Sequence, residues 1–291
     1  MRGIRPWLVI WLLMACGCAG PAASTGPGLR QQAVSFNDAG YQSYEEGNRR
    51  LAQRNFEEAL KLNRLIDHQA GIGANLNNLG VIHQQQGDLD KALAFFKEAL
   101  SIHQGLGDPA GLAETLNNLG TVYEAQARLK EAEETYQQAL TWARGLPPGP
   151  LLALTLTHLG DVARARGDYQ AALGLYRQAL EIDAAGKDLK GQARRRERLG
   201  RAYLGMKDYP AAGQNLNAAL EEFRRLENTN GIIDALDGLT RLALAQGDRE
   251  GALNYGTRLI KIYQALGRDQ EATKLEARLK IEGRGQGPPA R

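Results

Sequence analysis

The stretch LNNLG at Leu76–Gly80 returns unchanged at Leu116–Gly120, and in altered form as LTHLG at Leu156–Gly160 and RERLG at Arg196–Gly200. Its last residue belongs to a series, Gly40, Gly80, Gly120, Gly160 and Gly200, with Thr240 in sixth place, so the chain has a period of 40 residues. A fixed period of this size means stacked supersecondary units, none of which can bury its apolar face alone. Two further series keep the register. Gly-Asp occurs at Gly87-Asp88, Gly167-Asp168 and Gly247-Asp248, is matched by Gly47-Asn48, and is degraded to Ala127-Arg128 and Lys207-Asp208. Alanine occurs at Ala52, Ala92, Ala132, Ala172, Ala212 and Ala252.

Helical spacing explains all three. Between Ala74 and Gln86, Leu76, Leu79, Gly80 and Ile82 line one stripe of an amphipathic helix. The Gly-Asp pair stops that helix and caps the next. The second helix, from about Leu89 to Ile102, turns Ala92, Phe95, Phe96, Ala99 and Leu100 inward. Gly80 and Ala92 are expected where the two antiparallel helices cross, because a larger side chain would push them apart. The fold class that follows is all-α, a superhelical solenoid of about six antiparallel helix pairs.

These positions resemble the tetratricopeptide repeat. Leu79-Gly80, Gly87-Asp88, Ala92, Phe96 and Ala99 stand where that helix-pair motif has its leucine-glycine, turn, small, aromatic and small residues. The spacing looks like the longer-loop variety of kinesin light chains. Loops such as GLGDPAG, Gly105–Gly111, hold the extra residues, and Gly71, Gly111, Gly191 and Gly231 punctuate the start of the next unit. The resemblance implies six repeats over 33–267, a capping helix over 268–283 and a disordered tail at 284–291. The sixth unit departs most, with Thr240 for glycine and Gly256 where units two to four have Phe96, Tyr136 and Tyr176.

Ahead of the repeats, Arg2 and Arg5 precede the apolar run WLVIWLLM at Trp7–Met14, too short to span a bilayer, so residues 1–15 read as a secretory signal peptide. Leu13–Cys16 resembles the bacterial lipobox, which makes Cys16 the expected acylated residue; Cys18 is the alternative. By the same resemblance, Gly17 after the cysteine implies the outer membrane, facing the periplasm. Residues 16–32, rich in Gly, Pro, Ala and Ser, read as a flexible tether.

The net charge of +3 is small against 36 basic and 33 acidic side chains, so composition alone points to no nucleic acid or acidic substrate. Charge is nevertheless polarised: residues 30–150 carry 11 basic and 15 acidic side chains, and 151–291 carry 23 and 18. There is no phosphate-binding loop with a lysine, no nucleophile elbow and no paired zinc histidines on one helix turn, so no catalytic residue, metal or cofactor is assigned. The four histidines are spread over different units.

The other face of the first helix is polar. In the family it is the concave wall, where asparagines hydrogen-bond an extended peptide. Carried over position by position, the candidate groove residues are Asn37, Asn77, Asn78, Asn117, Asn118 and His158. Farther on the same face turns basic, at Arg194, Arg198, Arg201 and Arg241, which suits a protein or peptide with an acidic stretch or a free carboxylate. The alternative use of the asparagines is bonding to neighbouring helices. The function expected is a non-catalytic, lipid-anchored protein-interaction scaffold at the bacterial envelope, which meets no nucleic acid. The alternative is a self-associating part of an envelope secretion, pilus or cell-wall assembly.

Overall fold

A computed structural model describes residues 28–282. They form thirteen helices: α1 (Leu29–Glu45), α2 (Arg49–Leu65), α3 (Gln69–Gln85), α4 (Leu89–Leu106), α5 (Pro109–Ala125), α6 (Leu129–Arg144), α7 (Pro150–Ala165), α8 (Tyr169–Ala185), α9 (Leu189–Gly205), α10 (Tyr209–Arg225), α11 (Thr229–Gln246), α12 (Arg249–Ala265) and α13 (Asp269–Glu282). No strand occurs among the described residues, and no helix of theirs is long and apolar enough to cross a membrane. Cys16, Cys18, the leader, most of the tether and the tail lie outside the described residues. The first helix starts at Leu29, inside the segment read as tether.

Odd and even helices pair within a unit, and each even helix also packs on the next odd one. Beyond these contacts, α3 touches α5, α5 touches α7, α7 touches α9 and α9 touches α11, whereas no pair of second helices packs comparably. The first helices are therefore the inner layer of a superhelix, and the second helices splay outside it.

Three registers enforce this geometry. The turn after each first helix needs a positive φ, which Gly87 supplies at +82°, while Ala127 adopts +57°; a residue with a Cβ bears a cost of roughly 1–2 kcal/mol there. Asp168 and Asp248 then cap the following helices by accepting from the backbone N–H groups of Ala171 and Gly251. The glycine ending LNNLG makes room for an aromatic ring: a Cβ on Gly80 would lie 2.5 Å from the Phe96 ring, and Gly40, Gly120 and Gly160 stand likewise under Phe56, Tyr136 and Tyr176. The ring, and not Ala92, is thus what Gly80 accommodates, although Ala92 is fully buried as expected. In the sixth unit the exchange is reciprocal: Thr240 replaces the glycine, Gly256 replaces the ring, and Leu279 of α13 fills the space over Gly256.

The third register joins units. Gly71, Gly111, Gly191 and Gly231 lie beneath Asn63, His103, Asp183 and Phe223, the last inward residues of the preceding second helices. In unit four the sizes are swapped, with Ala143 buried where those side chains would be and Leu151 in the glycine position. Transplanting the swap tests the rule. Phe223→Ala alone should cost about 3–5 kcal/mol through the cavity, and Gly231→Leu alone about 1–3 kcal/mol or more through overpacking. The double variant, followed by urea denaturation, should lose at least about 1 kcal/mol less than the sum; strict additivity would show that the two positions do not share one space.

Candidate functional site

The residues expected to line the groove lie on the inner layer, but most of their polar atoms are already committed between helices. Asn77 is 4 % exposed and Asn117 1 %. Asn77 Nδ2 donates to Glu114 Oε1 on α5 (2.9 Å) and Asn77 Oδ1 accepts from Asn118 Nδ2 (3.0 Å). Asn117 Nδ2 donates to Thr155 Oγ1 on α7 (2.8 Å). Asn37 Oδ1 accepts from Asn75 Nδ2 (2.8 Å) and Asn78 Nδ2 (3.4 Å), and Asn78 Oδ1 accepts from Tyr41 Oη (3.1 Å). Each first helix is thereby laced to the next. The expectation that Asn77, Asn78 and Asn117 present free amides to a peptide is corrected: these side chains are buried joints. Asn37 and Asn118 remain half-buried.

In the second half the same lacing is ionic. Arg198 Nε reaches Asp161 (3.0 Å) across the α7–α9 junction, and its Nη1 donates to Glu197 Oε2 (2.6 Å). Arg201 pairs with Glu197, whose side chain is 2 % exposed, and reaches Asp234 (3.8 Å) and Asp237 (3.7 Å) on α11. Arg241 Nε pairs with Asp237 at 2.8 Å. Burial opposes the charge of Arg198, but Asp161 and Glu197 outweigh it and raise its pKa. A free basic end is therefore also corrected: Arg198, Arg201 and Arg241 are neutralised within the wall, and Arg194 alone of the four candidates is exposed without a salt bridge.

His158 continues the amide register but serves packing. Its ring stacks on Tyr136 at 4.9 Å between centroids. Burial pushes its pKa down to about 4, with Asp161 acting the other way and Arg198 and Arg195 adding to the fall. Tyr136 Oη donates to Glu124 Oε2 (2.5 Å), and Tyr176 Oη donates to Asp161 Oδ1 (2.7 Å). Deeper in the α8–α9 junction Arg195 and Asp183 sit 3.1 Å apart, both buried, with burial raising the carboxyl pKa and lowering that of the guanidinium.

The sequence reading missed Glu114, Glu124, Asp161, Glu197 and Asp237. Reading one register down the units, Asn37, Asn77, Asn117, Thr157, Glu197, Asp237, would have shown a polar position at every joint. No group of three or more His, Cys, Asp or Glu side chains among the described residues is arranged to hold a metal.

A model of the tetratricopeptide repeat matches residues 31–108 and 111–185, over half of the chain. The chain belongs to the tetratricopeptide repeat family. The match ends before the units where Leu216 and Gly256 replace the aromatic ring of this tetratricopeptide repeat protein. Among solved structures it is similar to BtubC from P. vanneervenii, 22 % identical with a TM-score of 0.59, covering 91 % of this chain and 96 % of that one. A Rap protein complexed with Competence and Sporulation Factor is 14 % identical with a TM-score of 0.65, over 87 % and 75 % of the two chains. Pseudomonas aeruginosa pilF is 20 % identical with a TM-score of 0.56, over 85 % and 99 %. At these identities the likeness is one of fold. The curated proteins give no match.

Two outcomes follow from the joints. Asn117→Ala removes the donor to Thr155 Oγ1, which keeps its own bond to the Leu151 carbonyl, and should lower stability by about 1 kcal/mol, read as a shift in the urea midpoint; no shift would contradict the lacing. For His158, the unfolded chain takes up its proton near the ordinary 6.5 and the folded one near 4. The folded state therefore loses up to roughly 1–3 kcal/mol as pH falls through that window, allowing for partial solvent screening. His158→Phe keeps the stack and removes the titration, so its stability advantage should be larger at about pH 5 than at about pH 7.5; an equal advantage at both would contradict the assignment.

Proposed function

We propose that this tetratricopeptide repeat protein is a non-catalytic scaffold that holds a peptide or protein partner along its concave wall. One observation carries the reading: six first helices form a continuous inner layer that still exposes side chains in one register, Val34, Ala74, Glu114, Leu154, Arg194 and Asp234. The Rap protein named above is complexed with Competence and Sporulation Factor, which supports capture of a partner on this fold. The expected acidic partner or free carboxylate now rests on Arg194 alone, because the other arginines are paired. Placement at the bacterial envelope, through an acyl chain on Cys16 with Cys18 as the alternative, follows from the lipobox resemblance; a multiply acylated end anchors more firmly than one chain.

The alternative, self-association within an envelope assembly, has one observation in its favour. Phe36 occupies the register of Leu76, Leu116 and Leu156, which are buried, yet is 36 % exposed at the amino-terminal end of the described repeats. At the opposite end Ala272, Leu275 and Leu279 of α13 are buried.

Proximity labelling in the native cell defines the partner set. Ala74 and Ala165 are exposed on the concave register, so Ala74→Trp with Ala165→Trp fills the groove without touching the joints. The labelled set should be lost with helicity unchanged; an unchanged set would overturn the groove reading. Cys16→Ser should release the chain from membranes, and continued fatty-acid labelling of that variant would move the assignment to Cys18.

A further inference from the structure

The concave wall is neutralised in one half and not in the other. In units four to six, Asp161, Glu197, Asp234 and Asp237 are matched by Arg164, Arg198, Arg201 and Arg241. In units one to three the wall carries Asp38, Glu45, Glu114 and Glu124, while α3 and α5 carry no lysine or arginine and α1 carries only Arg30, in its first turn. None of those four carboxylates forms a salt bridge among the described residues. Arg164 and Arg198 act on Glu124 only from beyond salt-bridge distance, and at the rim Arg49 Nε donates to Gln85 Oε1 at 3.1 Å.

Glu114 and Glu124 hold that charge at a cost. Burial raises both carboxyl pKa values; His103 and a hydrogen bond from Asn77 offset this in part at Glu114, and at Glu124 a hydrogen bond from Tyr136 with Arg164 and Arg198 offsets burial and the opposing Asp161. Glu114 is exposed to the groove and Glu124 half-buried, and neither is in a salt bridge among the described residues, so each can take a cation from a partner. Upstream, Tyr41 is half exposed and its hydroxyl is fixed on Asn78, while the Tyr44 hydroxyl is held by Gln85. Both rings are thus set in place where a cation could lie against them.

We infer that the amino-terminal half of the groove takes an extended, lysine- or arginine-bearing segment of a partner protein, with its cations against Glu114 and Glu124 and its run leading to Tyr41 and Tyr44. This rests on the groove reading and reverses the charge expected of the partner. The paired arginines of units four to six supply no competing attraction for an acidic segment and keep the wall's positive charge away from the bound cations.

The test selects peptides from a random-sequence phage library on the full chain, then measures synthetic copies by fluorescence anisotropy. Selected peptides should be enriched in Lys and Arg. Glu114→Gln with Glu124→Gln should weaken them about tenfold or more, since charge-assisted contacts are worth about 1.5–3 kcal/mol. Glu57→Gln with Glu58→Gln, on exposed positions of α2, should not. Equal weakening by both pairs, or selection of acidic or neutral peptides that Ala74→Trp blocks, overturns the inference and leaves the groove reading standing. Selection of no peptide that Ala74→Trp blocks overturns both.

Discussion

The superhelix depends on polar side chains that tie each first helix to the next. Apolar contacts hold a helix pair together, but leucine against leucine fixes neither rotation nor register, and small slips cost little. A buried amide or carboxylate is different: left unpaired it costs about 1–3 kcal/mol, whereas its net gain when paired is nearer 1 kcal/mol. Asn37, Asn77, Asn117, Asp161 and Arg201 therefore act less as sources of stability than as penalties against any other stacking angle. Curvature, and with it the width of the groove, is set by that requirement.

Volume exchange makes the same argument in apolar terms. A glycine is needed where a ring or a long side chain crosses the neighbouring helix, and when the crossing group shrinks the glycine is no longer needed. Ala143 with Leu151, and Gly256 with Thr240, are two independent cases in which both members changed together. Irregular units are consequently not weak units; each keeps the summed volume that the joint requires.

The fold was legible in the sequence because its signals are local and repeated. Gly80, Ala92 and Phe96 recur in phase, and a single 40-residue unit suffices to read helix, turn and helix. The groove was legible only in part. Asn77 and Asn117 look free when one helix is considered alone, since they lie off its apolar stripe, and their partners Glu114 and Thr155 are 37 and 38 residues away in the next unit. The arginines misled for the same reason: Arg198 and Arg201 read as a basic patch until Asp161, Asp234 and Asp237 arrive from adjacent helices. Side chains that serve a helix are visible within one unit; those that serve the joint, or what is left for a partner, appear only when successive units are set side by side.

Side-chain amide exchange tests most directly whether the asparagines belong to the joints or to the groove. In the free chain, measured by NMR, the Asn77 and Asn117 side-chain NH2 groups should exchange with water far more slowly than that of the exposed Gln170, as expected for amides 4 % and 1 % exposed and bonded across helices. Exchange of Asn77 and Asn117 at the rate of Gln170 would contradict the account, since it would return those amides to the groove and leave the stacking of the units without its register.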